Sequence, residues 1–228
     1  MSGVLGGYPP AVLDWFDDVL GLAADRTVLA VGPIAGELAG HAAVTEVDLE
    51  EVAAGLRGHP EGSVAAVVVA EAFHRLDAAG AATLARVLAP GGRLGLCWSL
   101  RDERYGLARR LDRALPLLAD DEQRYRAGLW REVLAAGGFD APRSQTFQAF
   151  RIAGVDELAD AIASSRVARA LPPSERRQLR RAVARELADA ARADGLVELP
   201  GRVDGYWAPR ADPSHSSGLD GAGPGRPR

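Results

Sequence analysis

Short apolar runs alternate along the first hundred residues with segments in which apolar side chains recur every three or four positions. Such runs, bounded by glycine or charged residues, predict buried strands, and the segments between them predict helices. Strands alternating with helices in this order predict a mostly parallel sheet. We predict strands at 27–31, 44–47, 64–70 and 93–98, helices at 11–22, 49–56 and 79–88, and a turn and helix after 32.

The second half of the chain has a different pattern. Helical periodicity there predicts two helices between about 154 and 195, which form an insertion before a last, antiparallel strand. Residues 1–210 are predicted to form one domain, and the polar, glycine- and proline-rich tail 211–228 to be disordered. Further elements are predicted as helices at 107–118, 126–136, 155–168 and 174–193, a strand at 144–152 and an extended stretch at 196–207.

Composition and charge exclude several classes of protein. The hydrophobic fraction is 47% and the net charge is -4. Apolar stretches fall short of the roughly 20 residues of a membrane span, and the first residues lack a secretion pattern, so we expect a cytoplasmic protein without a membrane partner. Acids and bases are interspersed, so the arginine-rich stretch 176–185 is interpreted as a solvated helix face, with no nucleic-acid partner. Clustered His or Cys residues are lacking, which predicts no metal site.

Seven segments between Tyr8 and about Arg210 carry a resemblance. They are YPP at 8–10, VLAVGPIAG at 28–36, GSVAAVVVAEAFHRLD at 62–77, RVLAPGGRLGLCW at 86–98, RYRAGLWRE at 124–132, ALPPSER at 170–176 and VELPGRVDGYWAPR at 197–210. In these segments and in their order, the chain resembles the class I S-adenosylmethionine-dependent methyltransferases, in particular type 11 relatives of the ubiquinone and menaquinone biosynthesis enzymes. The resemblance implies a Rossmann-like α/β fold, S-adenosylmethionine as cofactor and a small-molecule acceptor.

The family's glycine turn after the first strand is altered here. In the family a Gly-x-Gly-x-Gly turn holds the methionine end of the cofactor. The corresponding residues are Gly32, Ile34 and Gly36, and Ala30 stands where an aspartate is usual. Such a turn needs torsion angles and close approach that a Cβ obstructs, and isoleucine strongly disfavours a positive φ. We therefore predict that S-adenosylmethionine binds weakly or not at all.

Other cofactor-binding candidates follow the strands. The acid that binds the ribose hydroxyls belongs at the end of the second strand, where Glu46 and Asp48 are candidates; alternatively, both are solvated residues beside a short strand. Glu71 and Ala72 end the third strand and would face the ligand crevice, because ligands of such folds bind beyond the carboxyl ends of strands. Tyr8 would line the mouth of the pocket, or serve as an ordinary aromatic residue at the start of a helix.

His74 is the predicted catalytic residue. It follows the third strand closely, and with an unperturbed pKa of about 6.5 it could accept a proton from a hydroxyl or amine of the methyl acceptor. The alternative is a loop histidine kept for hydrogen bonding. Methyl transfer to an acceptor that is already nucleophilic needs little besides proximity and alignment.

The interval before the Val64 strand is short for the family. Residues 33–63 must hold what the family builds as two strands and two crossover helices, so we predict fewer strands than the seven of the family plan. The family's helix that covers the cofactor would not fit into the seven residues before Tyr8.

Two functions remain open. One is a methyltransferase of doubtful competence, and the other is a non-catalytic paralogue that binds or regulates a partner, as a homodimer or with an active homologue. A third alternative is an enzyme with cofactor-independent chemistry.

Overall fold

A computed structural model describes residues 7–114 and 119–212. Its strands are β1 Thr27–Val31, β2 Ala43–Val47, β3 Val64–Ala70, β4 Leu88–Arg101, β5 Arg143–Gly154 and β6 Leu196–Pro209. Its α-helices are α1 Pro10–Leu20, α2 Ala35–Leu38, α3 Leu49–Ala53, α4 Ala78–Val87, α5 Gly106–Ala114, α6 Ala119–Arg126, α7 Trp130–Ala136, α8 Val155–Ala163, α9 Arg166–Arg169 and α10 Pro173–Ala188, and a 3-10 turn spans Phe73–Arg75.

One sheet organises the described residues. Its strand order is β2-β1-β3-β4-β6-β5, with β1 to β4 parallel and β6 antiparallel to both β4 and β5. This arrangement confirms the Rossmann-like α/β fold and the helical insertion before the last strand. Between β1 and β3 the described chain has one strand, β2, so the prediction of fewer strands there is also confirmed.

The connection from β1 to β2 shows how the shortening is achieved. Residues 32–42 cross between these parallel strands through α2, a helix of four residues. Parallel connections usually need a dozen or more residues because a full helix must pack back on the sheet. A single helical turn therefore replaces the crossover helix next to the predicted glycine turn.

The two faces of the sheet are covered unequally. Helices α3, α4 and α7 lie over a cluster that includes Leu29, Val67 and Leu96. Helix α1 packs on the other face, against β4 and β6. Glycine in these strands makes room for it: a Cβ at Gly205 would lie 2.7 Å from the Trp15 ring. Bulky aromatic residues of α1 thus pack directly against the backbone of the sheet.

The insertion forms a third apolar cluster. Helices α8 and α10 pack against each other and, with α5, against the ends of β5 and β6 that project past β4. On the outer side Arg180 of α10 pairs with Asp156 and Asp160 of α8. The insertion therefore packs on the sheet through an apolar layer, and ion pairs join its helices α8 and α10 on the outer side.

Some predicted boundaries were wrong. The helix expected at 126–136 begins at Trp130 instead, after a break at Gly128, whose φ is +75°. The helix expected at 155–168 is broken after Ala163 into α8 and α9. The tail predicted from 211 lies, from residue 213 onward, outside the described residues. In the described ranges, no helix has the length and apolar character that a membrane crossing requires.

Candidate functional site

The carboxyl ends of β1, β2 and β3 surround a cavity of about 410 Å³. Its walls are residues 31–33 at the end of β1, 46–51 at the end of β2, 70–72 at the end of β3, and Arg75. A volume of this size is in the range of small-molecule sites, and the position is the usual one for ligands in open α/β sheets. The cavity is therefore the candidate site.

Five of the sequence-predicted residues meet at this cavity. They are Gly32, Glu46, Asp48, Glu71 and Ala72. Ile34, Gly36 and His74 are not among the residues that line it, and Tyr8 reaches it indirectly through a hydrogen bond to Glu71. The predicted residues at the strand ends therefore line the candidate cavity, whereas the predicted residues beyond the first turn do not.

Gly32 allows the ends of β1 and β3 to approach each other closely. Its φ is +88°, and a Cβ at this position would lie 2.3 Å from the carbonyl oxygen of Ala70. Both the backbone conformation and the close approach require glycine. The first glycine of the predicted turn therefore has a firm structural reason.

Ile34 does not occupy the position that the sequence suggested. Its φ is -130°, so the expectation that position 34 requires a positive φ is wrong. The side chain is 1% exposed and packs in the cluster with Tyr8, Val12 and Leu38, away from the cavity. Gly36 lies in α2, where a Cβ would meet nothing within 4 Å. The loop adopts a turn that requires no glycine at the positions after Gly32.

Backbone donors, however, are scarce in this turn. Pro33 has no N–H group, and the N–H of Ile34 donates to the carbonyl oxygen of Gly32 at 2.8 Å. Two consecutive residues thus offer no amide to a bound anion such as a carboxylate. The loop therefore differs from a ligand-binding glycine turn because it has fewer free backbone N–H donors. The Ile34 side chain does not project into the cavity.

The register of β1 and β2 separates the two acidic candidates. Glu46 pairs with Ala30 within the strands, whereas Asp48 follows the pair Val31 and Val47 and stands level with Gly32. Asp48 Oδ1 accepts a hydrogen bond from the N–H of Glu51 at 2.8 Å, and Glu51 Oε2 accepts one from the N–H of Asp48 at 2.8 Å. This capping box fixes Asp48 at the rim of the cavity.

Glu71 is a buried carboxylate in an unusual conformation. Its φ is +59°, and the residue is 7% exposed. Its Oε1 accepts hydrogen bonds from the hydroxyl of Tyr8 at 3.1 Å and from the N–H of Ser99 at 2.6 Å. Left-handed non-glycine residues cost free energy and are often found at functional sites.

Tyr8 is fixed at both ends. Its N–H donates to Glu37 Oε2 at 2.7 Å, and its hydroxyl donates to Glu71. Burial raises the pKa of Tyr8 well above its usual value, and the nearby Cys97 and Glu71 raise it further. Glu37 and Ser99 were not recognised in the sequence, because nothing in their local pattern marks a contact so distant along the chain.

Replacing Tyr8 by phenylalanine is expected to lower the free energy of unfolding by about 1–3 kcal/mol, because Glu71 loses a donor inside the protein. Urea unfolding followed by circular dichroism measures the difference. Tyr105→Phe is the matched control, since Tyr105 is 37% exposed and should lose almost nothing. Equal losses in the two variants would contradict a stabilising role for the Tyr8–Glu71 hydrogen bond.

His74 lies beside the site, in the 3-10 turn that follows β3. The indole Nε1–H of Trp98 donates to His74 Nδ1 at 3.0 Å. An indole nitrogen only donates, so Nδ1 carries no proton while this contact exists. In the neutral imidazole the proton is therefore on Nε2.

The lining of the cavity is strongly acidic. Five of its residues are acids, and Arg75 is its single basic residue. Among the described residues, no group of three His, Cys, Asp or Glu side chains is placed to hold a metal ion. The field of the cavity therefore favours organic cations over anions.

Comparison with known proteins identifies the fold. The chain is 39% identical over an alignment of 127 residues to uncharacterized methyltransferases of Mycobacterium tuberculosis and Mycobacterium bovis, and the match covers 46% of this chain and 51% of the relatives. A solved candidate type II methyltransferase of Anaeromyxobacter dehalogenans matches with a TM-score of 0.54 at 20% identity, covering 90% of this chain and 95% of that one. This chain therefore has the class I methyltransferase fold.

A second solved structure has a similar fold. A candidate methyltransferase of Bacillus halodurans matches with a TM-score of 0.51 at 13% identity, covering 88% of this chain and 99% of that one. No protein-family model matches the chain. The chain spans about half the length of the curated relatives it matches. The resemblance to the class I methyltransferases is confirmed, and the type 11 subfamily stays a prediction.

Proposed function

We propose that this chain is a methyltransferase-type protein that binds S-adenosylmethionine weakly, in the cavity at the ends of β1, β2 and β3. The observation that supports it is the convergence of Gly32, Asp48 and Glu71 on one acidic cavity in a methyltransferase fold. S-adenosylmethionine carries a sulfonium and an ammonium group, which the five lining acids attract. The acceptor is a small molecule, and the protein acts in the cytoplasm.

The residues of the cavity fit this cofactor in part. Asp48, rather than Glu46, is proposed to accept hydrogen bonds from the ribose hydroxyls, because it is level with Gly32 and fixed by its capping box. The methionine carboxylate finds no amide at Pro33 or Ile34. When bound, the cofactor would supply an electrophilic methyl group, and the chain would orient it and shield it from water.

The missing donors set the expected affinity. Each lost hydrogen bond to a charged group costs on the order of 1.5–3 kcal/mol. Two lost contacts cost about 3–6 kcal/mol, and every 1.4 kcal/mol is about a tenfold change, so they weaken an ordinary micromolar site to roughly 0.1–20 mM. At such an affinity the cofactor site would be only partly filled at low cofactor concentration.

Calorimetric titration of the full chain with S-adenosylmethionine and S-adenosylhomocysteine tests the proposal. We expect a dissociation constant of about 0.1–20 mM for S-adenosylmethionine. Asp48→Asn should weaken binding by roughly tenfold or more while preserving the cap, since asparagine caps helices well. Glu46→Gln is the matched control and should change affinity much less. Low-micromolar binding would contradict the weakened site, and equal effects of the two variants would contradict the role of Asp48.

The four-residue α2 favours a second candidate function. A class I methyltransferase fold in which one turn replaces the crossover helix, with few loop donors, also suits a non-catalytic paralogue that binds or regulates a partner, as a homodimer or with an active homologue. A protein that melts cooperatively but shows neither heat nor a rise in melting temperature at tens of millimolar S-adenosylmethionine would support this candidate instead.

A further inference from the structure

The direction of the hydrogen bond between Trp98 and His74 limits what the histidine can do in the proposed reaction. We infer that Trp98 is a positioning residue that holds His74 as the Nε2–H tautomer, so that His74 acts as a hydrogen-bond donor and not as a general base. The inference rests on the proposed methyl transfer for its functional meaning, but the tautomer itself can be tested without activity.

Trp98 is well placed to impose this state. It is 2% exposed, and its ring packs between Tyr125, Trp130 and Tyr206 at centroid distances of 4.7, 5.1 and 5.8 Å. A ring enclosed on several sides has little freedom to turn its N–H away. The direction in which Trp98 donates is therefore fixed by the core.

The packing around Trp98 is itself fixed by hydrogen bonds. The hydroxyl of Tyr125 donates to Asp204 Oδ2 at 2.8 Å and lies 2.8 Å from the hydroxyl of Tyr206. Thr146 donates to the other oxygen of Asp204 at 2.8 Å. Strands β5 and β6 and helix α6 are thereby joined behind the indole ring. The indole N–H of Trp98 is therefore a rigid donor to His74, which lies in a turn at the edge of the cavity.

The consequence for proton transfer follows from the two ring nitrogens. A general base must offer a nitrogen without a proton to the reacting group. In neutral His74 that nitrogen is Nδ1, which faces the indole N–H at 3.0 Å, and Nε2 already carries its proton. Taking up a proton would require breaking the contact with Trp98.

Nitrogen-15 NMR of the histidine rings tests the tautomer in the full chain. The four histidines are few enough to assign, with His74→Gln identifying the signal of interest. At a pH about 1.5 units above the ordinary histidine pKa of about 6.5, we expect wild-type His74 to show one Nε2–H tautomer without averaging. A coupling across the hydrogen bond between Trp98 Nε1 and His74 Nδ1 should also be present.

Two variants separate positioning from packing. Trp98→Phe should shift the His74 signals away from those of the pure Nε2–H tautomer, because the indole donor that selects this tautomer is gone. Trp130→Phe removes a neighbouring ring of the same cluster that does not donate to His74, and should leave the tautomer unchanged. If Trp98→Phe does not fold, the wild-type signals and the coupling decide. An Nδ1–H tautomer or averaged signals in wild type, or an unchanged tautomer in folded Trp98→Phe, would overturn the inference. Failure of the proposed function is seen separately, in the calorimetric titration.

Discussion

The double substitution Ala30→Asp with Ile34→Gly is expected to unfold most of the protein, although it brings the sequence closer to the family's cofactor turn. Both positions are buried, with exposures of 0% and 1%. Removing a large buried aliphatic side chain costs about 2–5 kcal/mol. An unpaired carboxylate in the core costs several more. The sum, roughly 5–10 kcal/mol, is comparable with the whole stability of a typical domain, about 5–15 kcal/mol.

Thermal unfolding followed by circular dichroism measures this effect. Ile34→Val is a graded control and should cost only about 0.5–1.5 kcal/mol. Ala39→Asp places the same acid at an exposed position next to α2 and should stay within about 0.5 kcal/mol of wild type. A double variant that melts near wild type and binds S-adenosylmethionine more tightly would show that the loop returns readily to a glycine turn.

The strands could be predicted because burial on both faces leaves a clear mark on the sequence. Strand β3 reads VAAVVVA and is buried at nearly every position, and β1 is similar. Parallel strands covered by helices on both sides must be apolar throughout, so a short apolar run is sufficient evidence for them. The helix pattern at 126–136 was less reliable, because periodicity does not reveal that Gly128 interrupts the helix.

The position of the candidate cavity could be predicted from topology, but the contacts of its residues could not. Residues that follow parallel strands must meet at one edge of the sheet, which brought Gly32, Asp48 and Glu71 together. The bond from Tyr8 to Glu71 spans 63 positions and that from Trp98 to His74 spans 24. No local pattern encodes such pairs, since they depend on how α1 and β4 pack on the sheet.

Ile34 shows why a motif alone misled the interpretation. Aligning the chain with a glycine turn assigns position 34 a positive φ, and an isoleucine there would be strained. The shortened crossover changes the path of the chain after Gly32, so the residue turns into the core and is well packed. The loss of glycine and the loss of the crossover helix are thus consistent parts of one rearrangement.

Gly32→Ala is expected to destabilise the protein by about 2–5 kcal/mol. A left-handed backbone costs an ordinary residue roughly 1–2 kcal/mol, and Gly32 has a φ of +88°. The added Cβ would lie 2.3 Å from the carbonyl oxygen of Ala70, and relieving such overlap costs about 1–3 kcal/mol more. The neighbouring atom is backbone in the middle of the sheet, so a simple side-chain rotation does not relieve it.

Melting temperatures of Gly32→Ala and Gly36→Ala make the comparison direct. In a domain of this size each 1 kcal/mol shifts the melting temperature by about 2–4 °C, so Gly32→Ala should fall by roughly 4–20 °C. At Gly36 a Cβ meets nothing within 4 Å, and alanine favours the helix, so the change should be neutral or slightly stabilising. Similar melting temperatures for the two variants would show that β1 and β3 separate easily at Gly32. In that case the cavity that their ends enclose would not be a preformed site.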